Sequence, residues 1–341
     1  MALDIAKTLS AEFNRKEEQT NNIIKLIDEG NTIPFIARYR KEMTGSTDDQ
    51  TLREMYDRLN YLRNLEDRKA EVKNSIDSQG KLTEELIIAI DDAVTLSEVE
   101  DLYRPYKQKK KTRAGAAREK GLEPLADIIM AQQIMQGRIE DIARPYVDEE
   151  KGVNDIAEAV QGACDIIAEN ISDDADIRKR LKEFIKQKGV LVSSAVSPGE
   201  DSVYNMYYDY KEAVKSIQPH RVLALNRGEK EGVLKVSLDV PKIDALTIIM
   251  KKVLISRSIF TQLISSTCED SYTRLIFPSL EREIRSSLTD TADDKSIKTF
   301  SANLKPLLMQ PPVKVSRPSS RARRVFTSMS FVGSSSSSTL P

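Results

Sequence analysis

The segment RPYKQKKKTRAGAAREKG, residues 104–121, sets Arg104, Lys107, Lys109, Lys110, Lys111, Arg113, Arg118 and Lys120 against a single acid, Glu119. Fixed positive charge at this density can neutralise several phosphates of a nucleic-acid backbone. Tyr103 and Tyr106 stand at the start of the run, and aromatic rings beside cations suit base stacking on a single strand. Charge alone equally permits a solvated loop that pairs with acidic helices of its own chain. A second segment, IPFIARYRKEMTG (33–45), carries Arg38, Arg40 and Lys41 after a Pro-initiated apolar turn. It could offer a basic helix face to a groove, although taken by itself an intrachain ion-pair surface is the simpler expectation.

Other chemistries lack their residues. There is no G-x-x-x-x-G-K-[ST], no G-x-G-x-x-G and no G-x-S-x-G, so nucleotide hydrolysis, dinucleotide chemistry and hydrolase nucleophiles have no local signature, and no cofactor is expected. His220 is the one histidine and cannot seed a His/Cys metal site alone. Cys164 falls on an apolar helical stripe and reads as a buried, inert thiol. It and Cys268 are the only cysteines, too few for a disulfide framework, which points to a reducing compartment. The pairs Asp173-Asp174 and Asp293-Asp294 are expected near helix starts, where carboxylates cap free N–H groups. Lys and Arg number 52 and Asp and Glu 53, so the net charge of −1 makes any electrostatic case a local one. The first thirty residues lack a signal-peptide apolar run, and no stretch of about 18 apolar residues occurs, so a cytoplasmic protein without membrane association is expected.

These residues need a scaffold, and 341 residues with 40% apolar content leave room for roughly two domains. Across 51–69 Leu52, Met55, Tyr56, Leu59, Leu62 and Leu65 recur at three- and four-residue steps, predicting an amphipathic helix with Thr51 as its cap and Glu54 returning to it. Helices are also predicted over 155–171 and 175–187. HRVLALNR (220–227) and VLKVSLDV (233–240) flank GEKEG and read as two strands of a hairpin. Helix resumes at PSLEREIRSSL, with Pro278 in its first turn, and runs to about Met309 before Pro311 and Pro312. Residues 313–341 hold ten Ser and five basic residues with no acid, a composition that predicts disorder. The expected fold is therefore mainly α: a multi-helical region over 1–190, a segment over 191–312 with one small β-hairpin and a helical connector, and a disordered tail over 313–341.

IPFIARYRKEMTG, LREMYDRLNYLRNLEDRK and VEDLYRPYKQKKKTRAGAAREKGLEPLA, in this order, closely resemble the N-terminal region of the Tex family, bacterial transcription accessory proteins that bind nucleic acid. QGACDIIAENISDD (161–174), YYDYKEAV (207–214), HRVLALNRGEKEGVLKV (220–236), SYTRLIFPSLEREIR (271–285) and SANLKPLLMQPP, ending at 312, look like successive blocks of the same family. The resemblance covers about the first 312 residues. It implies a helix-turn-helix-like N-terminal region, followed in the family by a YqgF-type RNase H-like domain, helix-hairpin-helix units and an RNA-binding OB-fold. Here VSRPSSRARRVFTSMSFVGSSSSSTLP stands in place of those domains, an abrupt change for which a frameshift near codons 313–315 is the expected cause.

With the resemblance, the expected function is weak, largely sequence-independent contact with RNA or single-stranded DNA by a transcription accessory protein, without enzymatic activity. The residues expected to touch phosphate are Arg104, Lys107, Lys109, Lys110, Lys111, Arg113 and Arg118, with Arg38, Arg40 and Lys41 as a second set. The alternative is a helical scaffold that docks to transcription or translation machinery. Phosphate contact should give a steep salt dependence and apolar docking a shallow one.

Overall fold

The computed structural model describes residues 4–107, 111–197, 199 and 201–309. The expected disorder of 313–341 and the positions Lys109 and Lys110 lie outside the described residues. The protein is mainly helical, with one small antiparallel sheet.

The N-terminal half is organised by one long helix, α5 (Asp49–Asp77), with α1 (Ile5–Glu12), α2 (Glu17–Asp28), α3 (Ile33–Tyr39) and α4 (Lys41–Thr44) before it. Its buried apolar side chains, Leu52, Met55, Leu59, Leu62, Leu65, Val72 and Ile76, form one stripe at helical spacing, with the buried Lys69 in line between Leu65 and Val72. Ile23, Leu26 and Ile36 from α2 and α3 pack with Leu52 and Met55 at the start of α5. Two shorter helices, α6 (Glu84–Asp92) and α7 (Leu96–Tyr103), bring Ile90 and Val99 against Leu65, Val72 and Ile76 nearer its end. The expected cap is corrected: Asp48, not Thr51, caps α5, its carboxylate accepting from the Thr51 backbone N–H at 2.9 Å and from the Thr51 hydroxyl at 2.7 Å. A carboxylate three residues upstream satisfies the free N–H, so the helix begins earlier than its apolar stripe suggests.

A second apolar cluster runs from Ala114 to Ile284. It is built from α8 (Arg113–Glu119), α9 (Glu123–Ala131), α10 (Ile139–Ala143), α11 (Ile156–Asp173) and α12 (Ala175–Lys188). The rest comes from β1 (Val190–Ala195), β2 (Asp209–Ala213), α13 (Pro219–Lys230), β3 (Leu234–Asp239), α14 (Lys242–Val253), α15 (Thr261–Asp270) and α16 (Phe277–Met309). The strands lie in the order β2-β1-β3, both pairings antiparallel, with Val190 opposite Ala213 and Asp239. The outer edge of β3 is closed by α16: Glu281 accepts from the Leu238 N–H at 2.8 Å and Arg285 donates to the Val236 carbonyl at 3.2 Å.

The expected hairpin over 220–240 is therefore half right. Residues 233–240 contain a strand, but 220–227 are helical and belong to α13. Pro219 fits the first turn, Val222 and Leu225 point inward three residues apart, and a Cβ at Gly228 would lie 2.6 Å from Leu234 Cδ1. That close approach lets the helix sit directly on β3, whose strand partner is β1. Two placements also change near α16. Pro278 does not start a helix: α15 continues through a π-helical turn, Ser271–Ile276, into α16, and the proline, which has no N–H to donate, follows that turn. Asp293 and Asp294 lie inside α16 rather than at a helix start. Asp174 does cap α12, accepting from the Ile177 N–H at 2.9 Å. Among the described residues no helix is long and apolar enough to cross a membrane.

Candidate nucleic-acid interface

The basic run is positioned by α8, a short helix of small residues laid on α11. Thr112 caps it, its Oγ1 accepting from the Gly115 N–H at 2.9 Å. Ala114 and Ala117 are buried beneath it. Contact is close because α11 presents Gly162, where an added Cβ would stand 2.3 Å from Leu122 Cδ1 and 3.3 Å from Ala117 Cβ. Gly162→Val is expected to lower stability by about 1–3 kcal/mol, since β-branched bulk meets a packed layer; a denaturant titration checks it, and an unchanged midpoint would show that α8 gives way freely.

With α8 fixed, the cations divide into two groups. Arg104 donates to Asp173 at 3.2 Å, and Arg118 donates to Glu169 at 2.6 Å and to Asn170 at 2.9 Å. Lys120 donates to the Gly152 carbonyl at 2.6 Å. Those from Arg104 and Arg118 are intrachain braces onto the acidic end of α11, so the expectation that these two arginines are open to phosphate is revised. Lys107, Lys111 and Arg113 are exposed, and none has a carboxylate within ion-pair distance among the described residues. Lys107, Lys111 and Arg118 help line a cleft of about 930 Å³ whose walls also include Lys81, Thr112, Glu169 and Asp173. Glu119, Glu123 and Asp174 line it too, Glu123 lying 3.5 Å from Arg118 and Asp174 held by Lys252 at 2.7 Å, so the cleft carries both signs of charge, with Lys107 and Lys111 among its exposed cations.

The two tyrosines are not stacking platforms. Tyr103 and Tyr106 pack against the cluster of Leu65, Val72 and Ile76. The Tyr103 hydroxyl lies 2.9 Å from Ser75 Oγ, and the Arg68 guanidinium covers its ring at 5.5 Å. The better platform is one that sequence reasoning misses. Tyr39, at the end of α3, is 68% exposed beside exposed Arg38, Arg40 and Lys41. It pairs with Phe35 at 5.2 Å, and Arg40 covers the Phe35 ring at 5.7 Å. Among the described residues Arg38, Arg40 and Lys41 have no carboxylate within ion-pair distance, which overturns the expected ion-pair surface. A stacking ring between three open cations carries no apolar or periodic signal that would mark it in the sequence. Ile36 fixes this patch to Leu52 and Met55, whereas Gln79, just past the end of α5, bonds to the Tyr106 carbonyl, so the two basic patches stand roughly 36 Å apart along α5 at about 1.5 Å per residue.

The remaining candidates are structural. Burial pushes the Cys164 thiol up and the Cys268 thiol to about 11, so both are inert. His220 is exposed in the first turn of α13. Among the described residues no three His, Cys, Asp or Glu side chains gather to hold a metal ion.

Residues 3–77 match the Tex-like protein N-terminal domain, and residues 136–300 match the Tex central region. The chain belongs to the Tex family. It is 44% identical over 314 residues to the uncharacterized protein YdcI of Bacillus subtilis, covering 91% of this chain and 44% of that protein. It is 37% identical over 320 residues to the transcriptional accessory protein Tex of Neisseria gonorrhoeae, covering 91% and 42%. To the human S1 RNA-binding domain-containing protein 1 it is 30% identical over 329 residues, covering 92% and 33%. The chain thus spans less than half the length of these relatives. Arg38, Arg40 and Lys41 fall inside the matched Tex N-terminal domain, while Arg104 to Lys120 fall between the two matched regions.

Proposed function

We propose that this chain binds single-stranded nucleic acid, RNA foremost, through non-specific phosphate contacts as part of a transcription accessory role. The observation that carries this is a set of uncommitted cations: Lys107 and Lys111 on the cleft and Arg113 on the neighbouring hollow are exposed without a carboxylate within ion-pair distance among the described residues, while Arg104 and Arg118 offset the acids of α11. Lys109 and Lys110 belong to the same sequence run, and Arg38, Arg40 and Lys41 with Tyr39 form a second contact. The names of the relatives, transcriptional accessory protein Tex and S1 RNA-binding domain-containing protein 1, support the same reading. The role is one of binding, in the cytoplasm, and no described residue is assigned a catalytic step.

Salt tests it. Four or five phosphate contacts on a single strand give a log–log slope of about −3 to −3.5. Anisotropy titrations of the full chain with a labelled single-stranded RNA, run from about 50 to about 200 mM salt, should therefore show affinity falling steeply. A flat response would favour the competing reading, docking of a protein on the exposed apolar end of α16, where Ile297 and Phe300 are 64% and 65% exposed. Parallel titrations with DNA of the same sequence show which backbone is preferred.

A further inference from the structure

The cleft beside α8 does not end at α11. Thr112, Glu169 and Asp173 also line a second cavity of about 270 Å³, whose far wall is built from the π-helical turn and the start of α16: Arg274, Pro278, Ser279 and Arg282. The shared lining residues set the two spaces side by side, on either flank of the end of α11, and we call the pair the trough.

The side chains on this part of α16 are nearly all committed. Glu281 holds the edge of β3, Glu283 bonds to Ser97 at 2.6 Å and pairs with Lys182 at 2.6 Å, and Arg285 is paired with Glu229. Ile284 is buried. Arg274 is held by Asp270 at 2.6 Å and Asp165 at 3.1 Å. Arg282 differs. It is exposed, its Nε donates to the Pro278 carbonyl one turn back at 3.0 Å, and among the described residues no carboxylate lies within ion-pair distance. The bond to Pro278 fixes the stem and leaves the terminal guanidinium nitrogens open. Next to it Ser279 is backed by the Arg178 guanidinium, whose Nη2 lies 3.4 Å from Ser279 Oγ. Arg178 is buried, and its Nη1 has no hydrogen-bond partner among the described residues. An open arginine fork beside a hydroxyl is a donor set for a phosphate oxygen, with Arg178, itself paired with Asp101 at 2.6 Å and Glu283 at 3.3 Å, holding Ser279 from behind.

We infer that Arg282, with Ser279, is a second wall of the nucleic-acid site, taking a phosphate of the same strand after it passes Lys107 and Lys111. This rests on the nucleic-acid reading above and extends it to the Tex central region. On the floor Asp173 and Glu169 are offset by Arg104 and Arg118, whereas the exposed Glu119 and Glu123 also line the first space and leave it mixed in charge.

The test uses the full chain, a labelled single-stranded RNA and two variants, Arg282→Glu and the control Arg138→Glu, which alters an exposed cation outside the trough's lining, paired with Glu140 at 3.4 Å. Arg282→Glu should lower the salt slope by about 0.7, equivalent to about fivefold weaker binding at about 0.1 M salt, while Arg138→Glu leaves both unchanged. Circular dichroism and melting of both variants should match the parent. If the parent shows a steep slope and Arg282→Glu does not reduce it, the second wall is wrong and the α8 site stands. If Arg138→Glu has the same effect as Arg282→Glu, general charge rather than contact is responsible and the inference also fails. A flat slope in the parent overturns the nucleic-acid reading itself, and this inference with it.

Discussion

Asp101→Ala is expected to cost about 3–5 kcal/mol of unfolding free energy, the usual consequence of removing one partner from a buried ion pair. Asp101, on α7, is 7% exposed and accepts from Arg178 Nε at 2.6 Å and from Lys182, both on α12. Ser97 and Glu283 complete the cluster, so three helices, α7, α12 and α16, meet in one polar knot. Its importance follows from the core. The apolar clusters of the N-terminal helices, up to Val99, and of the remainder, from Ala114, are separate, so this knot is a principal tie between them. Without Asp101 the Arg178 guanidinium, already short of one hydrogen-bond partner, is left buried with Glu283 as its remaining carboxylate. Denaturant unfolding should show the lost stability. The double variant Asp101→Leu/Arg178→Met should recover much of it, because an apolar pair of similar volume carries no stranded charge. A fall below about 1 kcal/mol in Asp101→Ala would show that the knot is solvated and the two halves are tied elsewhere.

The same knot gives a pH dependence. Burial pushes the Glu283 carboxyl up, but hydrogen bonds from Lys182 and Ser97, with the charges of Lys182 and Arg178, outweigh it and hold the group below its ordinary value. A carboxyl lowered by folding stabilises above its unfolded value and loses that contribution as the pH falls through its folded one. The tie between the halves therefore weakens on acidification below the usual carboxylate range.

Much of this is legible in the residues, and the exceptions have physical causes. The long apolar stripe from Leu52 to Leu65 is visible because one helix face buries it. HRVLALNR misleads because Val, Leu and Ala in near alternation suit either period, and only the packing of Gly228 on Leu234 decides for helix. Strand β1, VLVSSA, gives little warning: although Gly189 precedes it and Pro198-Gly199 follow, its six residues are half serine or alanine, and they gain their identity from β2 and β3 on either side. The basic run is plain as charge, but its division is not. Arg104 and Asp173 are 69 residues apart and Arg118 and Glu169 are 51 apart. Which cations are committed to the fold is decided by how α8 lies on α11, a tertiary fact that no local count contains.

That division makes the decisive functional variant a choice among similar-looking residues. Reversing Arg104 or Arg118 would weaken binding for the wrong reason, since each change removes a brace from Asp173 or Glu169, which are buried beside α8. Lys107, Lys111 and Arg113 are exposed and brace nothing among the described residues, so Lys107→Glu/Lys111→Glu/Arg113→Glu should leave the fold intact. If each touches one phosphate of a single strand, the log–log salt slope falls by about 2, and binding at about 0.1 M salt weakens on the order of a hundredfold. Because phosphate contacts carry no base information, the loss should be equal across RNA sequences. Anisotropy titrations at several salt concentrations measure slope and affinity together, and melting curves establish that the variant is folded. A folded variant that binds with the parent's slope and affinity would remove the α8 wall from the site. The patch of Arg38, Tyr39, Arg40 and Lys41 at the far end of α5 would then be the place to look for the contact, since it combines open cations with an exposed ring.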